Sequence, residues 1–181
     1  YEYEKGAEPI LQSKYFIKKE FNKDIYENYL LSGELANILL LQNNLKYSET
    51  LLELAILGLN KCRERYPYPL IDNYKFSLAS VYLGQRKYEY AESILRELLE
   101  NKNNQKNKIF NLLSKSLSLQ GEFDEAEEIA TELLKKNEKK FIDDNNKEIL
   151  SSLENLAYIY QQQKLHDKSL EYTKRILNPK N

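Results

Sequence analysis

At 181 residues, 41% hydrophobic and 30% charged, the chain is long enough to bury a substantial core as one domain or one array. Lys and Arg number 27 against 28 Asp and Glu, and the resulting net charge of -1 lacks the cationic excess usual in proteins that bind nucleic acid or acidic membrane. One cysteine, Cys62, allows no internal disulfide, and no apolar run approaches the roughly 18 residues of a membrane helix, so composition points to a reducing, cytoplasmic interior.

The elements read as helix after helix. Only five Gly and four Pro occur, and apolar residues recur at intervals of three and four, as in Leu78, Val81 and Tyr82 or Leu95, Leu98 and Leu99. No segment reads as a strand. Residues 1–28, with Ala7, Leu11 and the stretch from Tyr15 to Phe21, are expected to be the end of a preceding helical unit. Without a Met and beginning at Tyr1, the chain is expected to be a piece of a longer polypeptide. Four helix pairs follow, over about 29–66, 72–103, 107–138 and 148–178. The breaks fall at Tyr66-Pro67-Tyr68-Pro69, at a polar turn from Asn101 to Asn107, at a charged connector from Asn137 to Lys147, and at Asn178-Pro179.

The pairs echo one another. Leu35-Ala36, Leu78-Ala79, Leu113-Ser114 and Leu156-Ala157 are each followed by Leu39, Tyr82, Leu117 or Tyr160, then by Gln42, Gln85, Gln120 or Gln163. Six residues past each Gln stands Ser48, Ala91, Ala126 or Ser169, at successive spacings of 43, 35 and 43. Small residues at matching places let antiparallel helices approach closely, while Tyr82, Tyr88, Phe123 and Tyr160 fill the flanking grooves. Units of this length cannot bury their apolar faces alone and stack into an array.

This pattern resembles the tetratricopeptide repeat (TPR) from about residue 29 to 177. The second and third copies carry it best, through Leu78-Ala79, Tyr82, Tyr88, Ala91, Leu95 and Leu98, and through Leu113-Ser114, Leu117, Gly121, Phe123, Ala126, Ala130 and Leu133. The usual Trp of the first helix is missing, with Phe110 and Leu153 in its place, as is the proline that often closes a repeat. The resemblance implies an all-α superhelix of about four antiparallel helix pairs, whose first helices line a concave groove. Counting along those helices points Asn37, Asn73, Phe76, Ser80, Lys108, Asn111, Lys115, Ser151, Asn155, Tyr158 and Gln162 inward. An amide both donates to and accepts from a peptide backbone, so this set suits an extended peptide or partner segment.

The long spacings, the Tyr-rich and Asn-rich helices and Asn155 before Leu156-Ala157 are also similar to the peptide-sensing RRNPP-type regulators of low-GC bacteria. That likeness implies a ligand-sensing C-terminal domain of a transcriptional regulator. The carboxylate clamp of chaperone-binding TPR domains does not fit, because Lys108, Lys115 and Asn155 stand in a different order and no Arg points inward.

Catalytic and cofactor readings find no constellation. His166, the only histidine, takes the place of Tyr88 and Phe123 and is expected to pack as they do. Cys62 has no neighbouring His, no Gly-rich phosphate loop occurs, and Asp143-Asp144 lacks calcium-loop spacing, so no cofactor or metal is expected. The acids from Glu122 to Glu128 suit a helix start, and Lys135, Lys136, Lys139 and Lys140 read as a solvated run without an aromatic platform for nucleic acid. The expected function is a noncatalytic peptide or protein-binding module that contacts neither nucleic acid nor membrane. The competing expectations are a structural scaffold or homodimerising segment, and an accessory domain of a larger enzyme.

Overall fold

The computed structural model describes residues 25–61, 69–101, 105–141, 143 and 145–178. Among them the elements are all helical: α1 (Ile25–Leu41), α2 (Leu45–Lys61), α3 (Pro69–Gly84), α4 (Tyr88–Glu100), α5 (Lys106–Gln120), α6 (Phe123–Lys140), α7 (Lys147–Gln162) and α8 (His166–Leu177). The chain divides into two compact units between Lys87 and Tyr88. In the first, α1 packs on α2, α2 on α3, and α1 also touches α3. In the second, each of α4 to α8 packs on the next, and α5 also lies against α7. This is the all-α order of successive helix pairs that the four-fold echo predicts.

The recurrent Gln marks a recurrent turn. The backbone N–H of Asn44 donates to Leu39, that of Lys87 to Tyr82, that of Glu122 to Leu117 and that of Leu165 to Tyr160, at 2.8 to 2.9 Å. These are Schellman turns, in which the residue before the donor must adopt the left-handed conformation. Asn43 (φ 60°), Arg86 (φ 63°), Gly121 (φ 90°) and Lys164 (φ 61°) do so. Only one of the four is the glycine that suits the position best.

The small residues sit in the core. Ala36, Ser48, Ala79, Ala91, Ser114 and Ala126 are wholly buried. Where the second helix carries Ser, the hydroxyl closes the crossing: Ser48 Oγ donates to the Ala36 carbonyl at 2.8 Å and Ser169 Oγ to the Ala157 carbonyl at 2.9 Å. Serine and alanine thus alternate without loss, because the hydroxyl finds a carbonyl of the facing helix.

A second column joins each repeat to the next. The residue after the small one is Glu49, Glu92 or Glu127 in the first three copies. Glu49 accepts from Gln85 Nε2 (2.7 Å) and Lys87 Nζ (2.6 Å), Glu92 from Gln120 Nε2 (2.8 Å), and Glu127 from Tyr160 Oη (2.8 Å). In the last copy the position is Leu170, half exposed. Nothing on α8 is fully buried, and Leu177 is exposed as well.

Three expectations on boundaries and packing change. Lys106 and Asn107 belong to α5 rather than to a polar turn, and Asn137 to Lys140 belong to α6 rather than to a connector. Asn137 is 1% exposed: its amide donates to the Glu148 carbonyl (3.2 Å) and to Ser152 Oγ (3.0 Å), and its oxygen accepts from Asn107 Nδ2 (3.1 Å). A polar residue ends a core helix here because its hydrogen-bonding groups are matched by partners on two other helices, α5 and α7. His166 is exposed at the start of α8, whereas Tyr88 and Phe123 are half-buried; among the described elements α8 packs on α7 alone. Pro69 is the first residue of α3, where its missing N–H costs nothing. Cys62, Tyr66 to Tyr68 and the preceding unit expected within residues 1–24 lie outside the described residues.

Candidate functional site

The 3.6-residue period of α5 places Lys108, Asn111, Leu112 and Lys115 on one stripe, and that of α7 does the same for Ser151, Glu154, Asn155 and Tyr158. Since α5 and α7 lie against each other, the two stripes face across an open cleft of about 420 Å³. Six of the residues expected to face a groove therefore converge here: Lys108, Asn111, Lys115, Ser151, Asn155 and Tyr158. Leu112 and Glu154 complete the lining and were not anticipated. The signal for both was present, because Leu112 lies four residues past Lys108 and Glu154 three past Ser151.

The floor is a chain of side-chain hydrogen bonds. Asn155, 8% exposed, donates from Nδ2 to Ser114 Oγ at 2.6 Å and to Asn111 Oδ1 at 3.4 Å. Asn111 Nδ2 in turn donates to Ser151 Oγ at 2.9 Å. Ser114 passes its own proton to the Phe110 carbonyl at 2.9 Å. Both amide protons of Asn155 are thus committed within the protein.

The rim is charged and aromatic. Lys115 Nζ lies 4.8 Å from the centroid of the Tyr158 ring, a cation–π distance. Burial, and then the neighbouring Tyr88, raises the Tyr158 phenol above its ordinary pKa, so it stays a neutral donor and acceptor. Lys108 and Glu154 place one charge of each sign on the same lining. Such a surface offers a hydroxyl, a ring and both charges above a preformed polar floor.

The other expected groove residues fall elsewhere. Asn37 on α1 and Asn73, Phe76 and Ser80 on α3 belong to the first unit. Asn37 is half-buried with its Oδ1 enclosed and unbonded, and Ser80 Oγ donates to the Phe76 carbonyl of its own helix at 3.1 Å. Gln162 is exposed at the last turn of α7 and does not line the cleft. A separate hollow of about 530 Å³ on α5 and α6 has Phe110, Ile129 and Leu133 in its lining, with Lys135, Lys136 and Lys139. Three of the four lysines read as a solvated run therefore stand over apolar surface. No helix among the described residues is long and apolar enough to cross a membrane.

Neither a protein-family model nor a curated protein matches the sequence. Solved structures do match its course. A Podosopora anserina protein described as a kinesin light chain with nearly identical TPR-like repeats shares 16% identity with this chain at a TM-score of 0.76, over 96% of this chain and 85% of its own. A variant of that protein gives a TM-score of 0.78, again at 16% identity, covering 96% and 84%. BtubC (BKLC) from P. vanneervenii shares 17% identity at a TM-score of 0.67, over 96% of this chain and 70% of its own. The fold is TPR-like. Within it, α5 and α7 are the first helices of two successive pairs, and α6, packed on both, is the second helix between them.

Proposed function

We propose that this TPR-like chain is a noncatalytic interaction module that takes an extended peptide, or an extended segment of a partner protein, in the α5–α7 cleft. The observation that carries the reading is the convergence of Lys108, Asn111, Lys115, Ser151, Glu154 and Tyr158 over a floor already held by Asn155 and Ser114. Hydroxyl and amide groups match the alternating donors and acceptors of an extended backbone, while the lysines, Glu154 and Tyr158 select its side chains. A regulatory role follows if the bound segment is a signal, as in a sensing domain of a larger regulator. A reducing cytoplasm is the proposed setting.

The test is selection of a short peptide from a displayed library against the chain, followed by calorimetry on Asn111→Ala, Tyr158→Ala and a Leu170→Glu control. The reading expects the first two to weaken the selected peptide with the fold retained, and the control to leave it unchanged. Equal affinity across all three would move the binding surface away from the cleft. A second reading, assembly through the end of the array, is favoured by one observation: Leu170 occupies the column held by Glu in the other repeats, and it is half exposed beside an exposed Leu177. Sedimentation decides it, since a dimer broken by Leu170→Glu supports assembly and a concentration-independent monomer removes it.

A further inference from the structure

A third hollow, of about 630 Å³, opens where α5 and α7 begin and α6 ends. Five lysines line it: Lys106 and Lys108 from the first turn of α5, Lys136 and Lys140 from the end of α6, and Lys147 from the first position of α7. Glu148 is the one carboxylate in the lining, and its Oε2 accepts from Asn107 Nδ2 at 3.2 Å. None of the five lysines forms an ion pair with a described residue. Phe141 closes one side, with Lys140 Nζ 5.0 Å from its ring centroid.

Helix electrostatics explains only part of this cluster. Lysines at the end of α6 complement the negative end of its dipole. Lys106, Lys108 and Lys147 do the opposite, because each adds a cation to the positive end of a helix. The first turn of α5 carries no acid at all, and Gln105 gives it no side-chain cap. The start of α7, by contrast, is capped by Asn146 Oδ1, which accepts from Glu148 N at 2.9 Å. In a chain with net charge -1, five cations lining one hollow, three of them set against the dipoles of two helices, mark a place for an anion. A compact ligand carrying several charges fits an open cluster of ammonium groups better than a single carboxylate does, since each lysine acts as a point charge on a separate oxygen.

We infer that this hollow is a binding site for a compact polyanion bearing two or more phosphoryl groups. It is independent of the peptide reading except for Lys108, which lines both hollows and is left unaltered in the test. The experiment is calorimetry and thermal shift of the intact chain with tripolyphosphate, against orthophosphate and hexaglutamate at matched ionic strength. Two charge-matched variants accompany it: Lys106→Gln with Lys147→Gln, and Lys164→Gln with Lys168→Gln at the other end of the α7–α8 pair. All four side chains are exposed, so both variants keep the fold.

Tripolyphosphate is expected to bind and raise the melting temperature, to weaken with salt, and to lose about tenfold or more in affinity in the first variant alone. Vesicles containing phosphatidylinositol bisphosphate distinguish the source. Capture that the first variant abolishes identifies a lipid headgroup, and its absence with tripolyphosphate binding intact identifies a free polyanion. No binding of either phosphate probe, equal losses in both variants, or tighter binding of hexaglutamate overturns the site.

Discussion

Gly33→Ala separates two physical arguments that predict opposite signs. Gly33 lies within α1, where replacing glycine by alanine is worth about 0.8–1 kcal/mol of helix propensity. A Cβ built there would overlap Tyr74 Cζ and both Cε atoms, inside any allowed contact. The ring cannot swing aside cheaply. Tyr74 is 1% exposed, and its hydroxyl donates within reach of the Leu30 carbonyl (3.2 Å) and Glu34 Oε1 (2.9 Å). Overpacking of this kind costs about 1–3 kcal/mol, and shifting the hydroxyl off its partners adds about 1. Set against the propensity gain, the net is a loss of about 1–3 kcal/mol, or several degrees in melting temperature. Urea unfolding followed by circular dichroism measures it. In a Tyr74→Ala background the overlap is gone, and the same substitution should stabilise by about 1 kcal/mol. A stabilising Gly33→Ala in the parent would refute the claim that the Tyr74 ring and the bare α1 backbone are one packing unit. Gly58, whose Cβ would overlap the half-buried Tyr29 ring, should cost less, and Gly84 least, since its Cβ meets the flexible end of the Leu45 side chain at 2.8 Å.

Three further outcomes follow from the same structure. In the left-handed turn positions, Arg86→Gly and Lys164→Gly should each raise stability by up to about 1 kcal/mol, while Gly121→Ala should lower it by a similar amount; thermal melts of the three variants check the set. Asn137→Ala should cost about 1–3 kcal/mol in urea titrations, because it removes the hydrogen bonds that tie α6 to Asn107, to the Glu148 carbonyl and to Ser152 inside the second unit. For Glu92, burial pushes the carboxyl up, but hydrogen bonds from Arg96 and Gln120 and the Arg96 charge outweigh it, so it lies below its ordinary value of 4.5. A carboxylate depressed in the folded state adds stability above its unfolded pKa and loses it as pH falls through the folded one. Glu92→Gln should therefore flatten the acid limb of the stability profile while the parent declines; parallel profiles would remove the Arg96–Gln120 bonds as the cause.

The fold was legible because its determinants are local and periodic. A small residue at each crossing and a Gln before each turn recur in register, and the turn that follows is set by chain geometry rather than by glycine, which is why Asn43, Arg86 and Lys164 serve beside Gly121. The inter-repeat column escaped notice because Glu127 reads as one acid of a helix start and Glu49 and Glu92 carry no local signal, and only stacking shows that each meets a donor from the next repeat. Asn137 was misread for a related reason: its hydrogen-bond partners come from residues 11 to 30 positions away, so composition alone marked it as linker. For the cleft, helical counting found the six residues that α5 and α7 bring together, since position on a face is a local property. It could not show which of them spend their polar groups internally, because that depends on the distance between two helices.

On the proposed peptide reading, that distinction changes where specificity in the cleft would come from. A ladder of asparagines would bind a peptide backbone with amide groups that water occupies in the free state. Here Asn155 gives its protons to Ser114 and Asn111, and Asn111 gives one to Ser151, within the protein itself. These bonds span α5 and α7 and fix the separation of the two stripes, so the floor is already ordered and binding need not supply that ordering. On that reading, what remains to discriminate between partners is the rim: Lys108 and Lys115 on one helix, Glu154 and Tyr158 on the other. Charge complementarity of this kind governs partner choice and association rate more than affinity, and it weakens with salt. Substituting a rim lysine should therefore slow association of a bound segment and relax its sequence preference, whereas substituting Asn155 should loosen the α5–α7 spacing and weaken every segment alike.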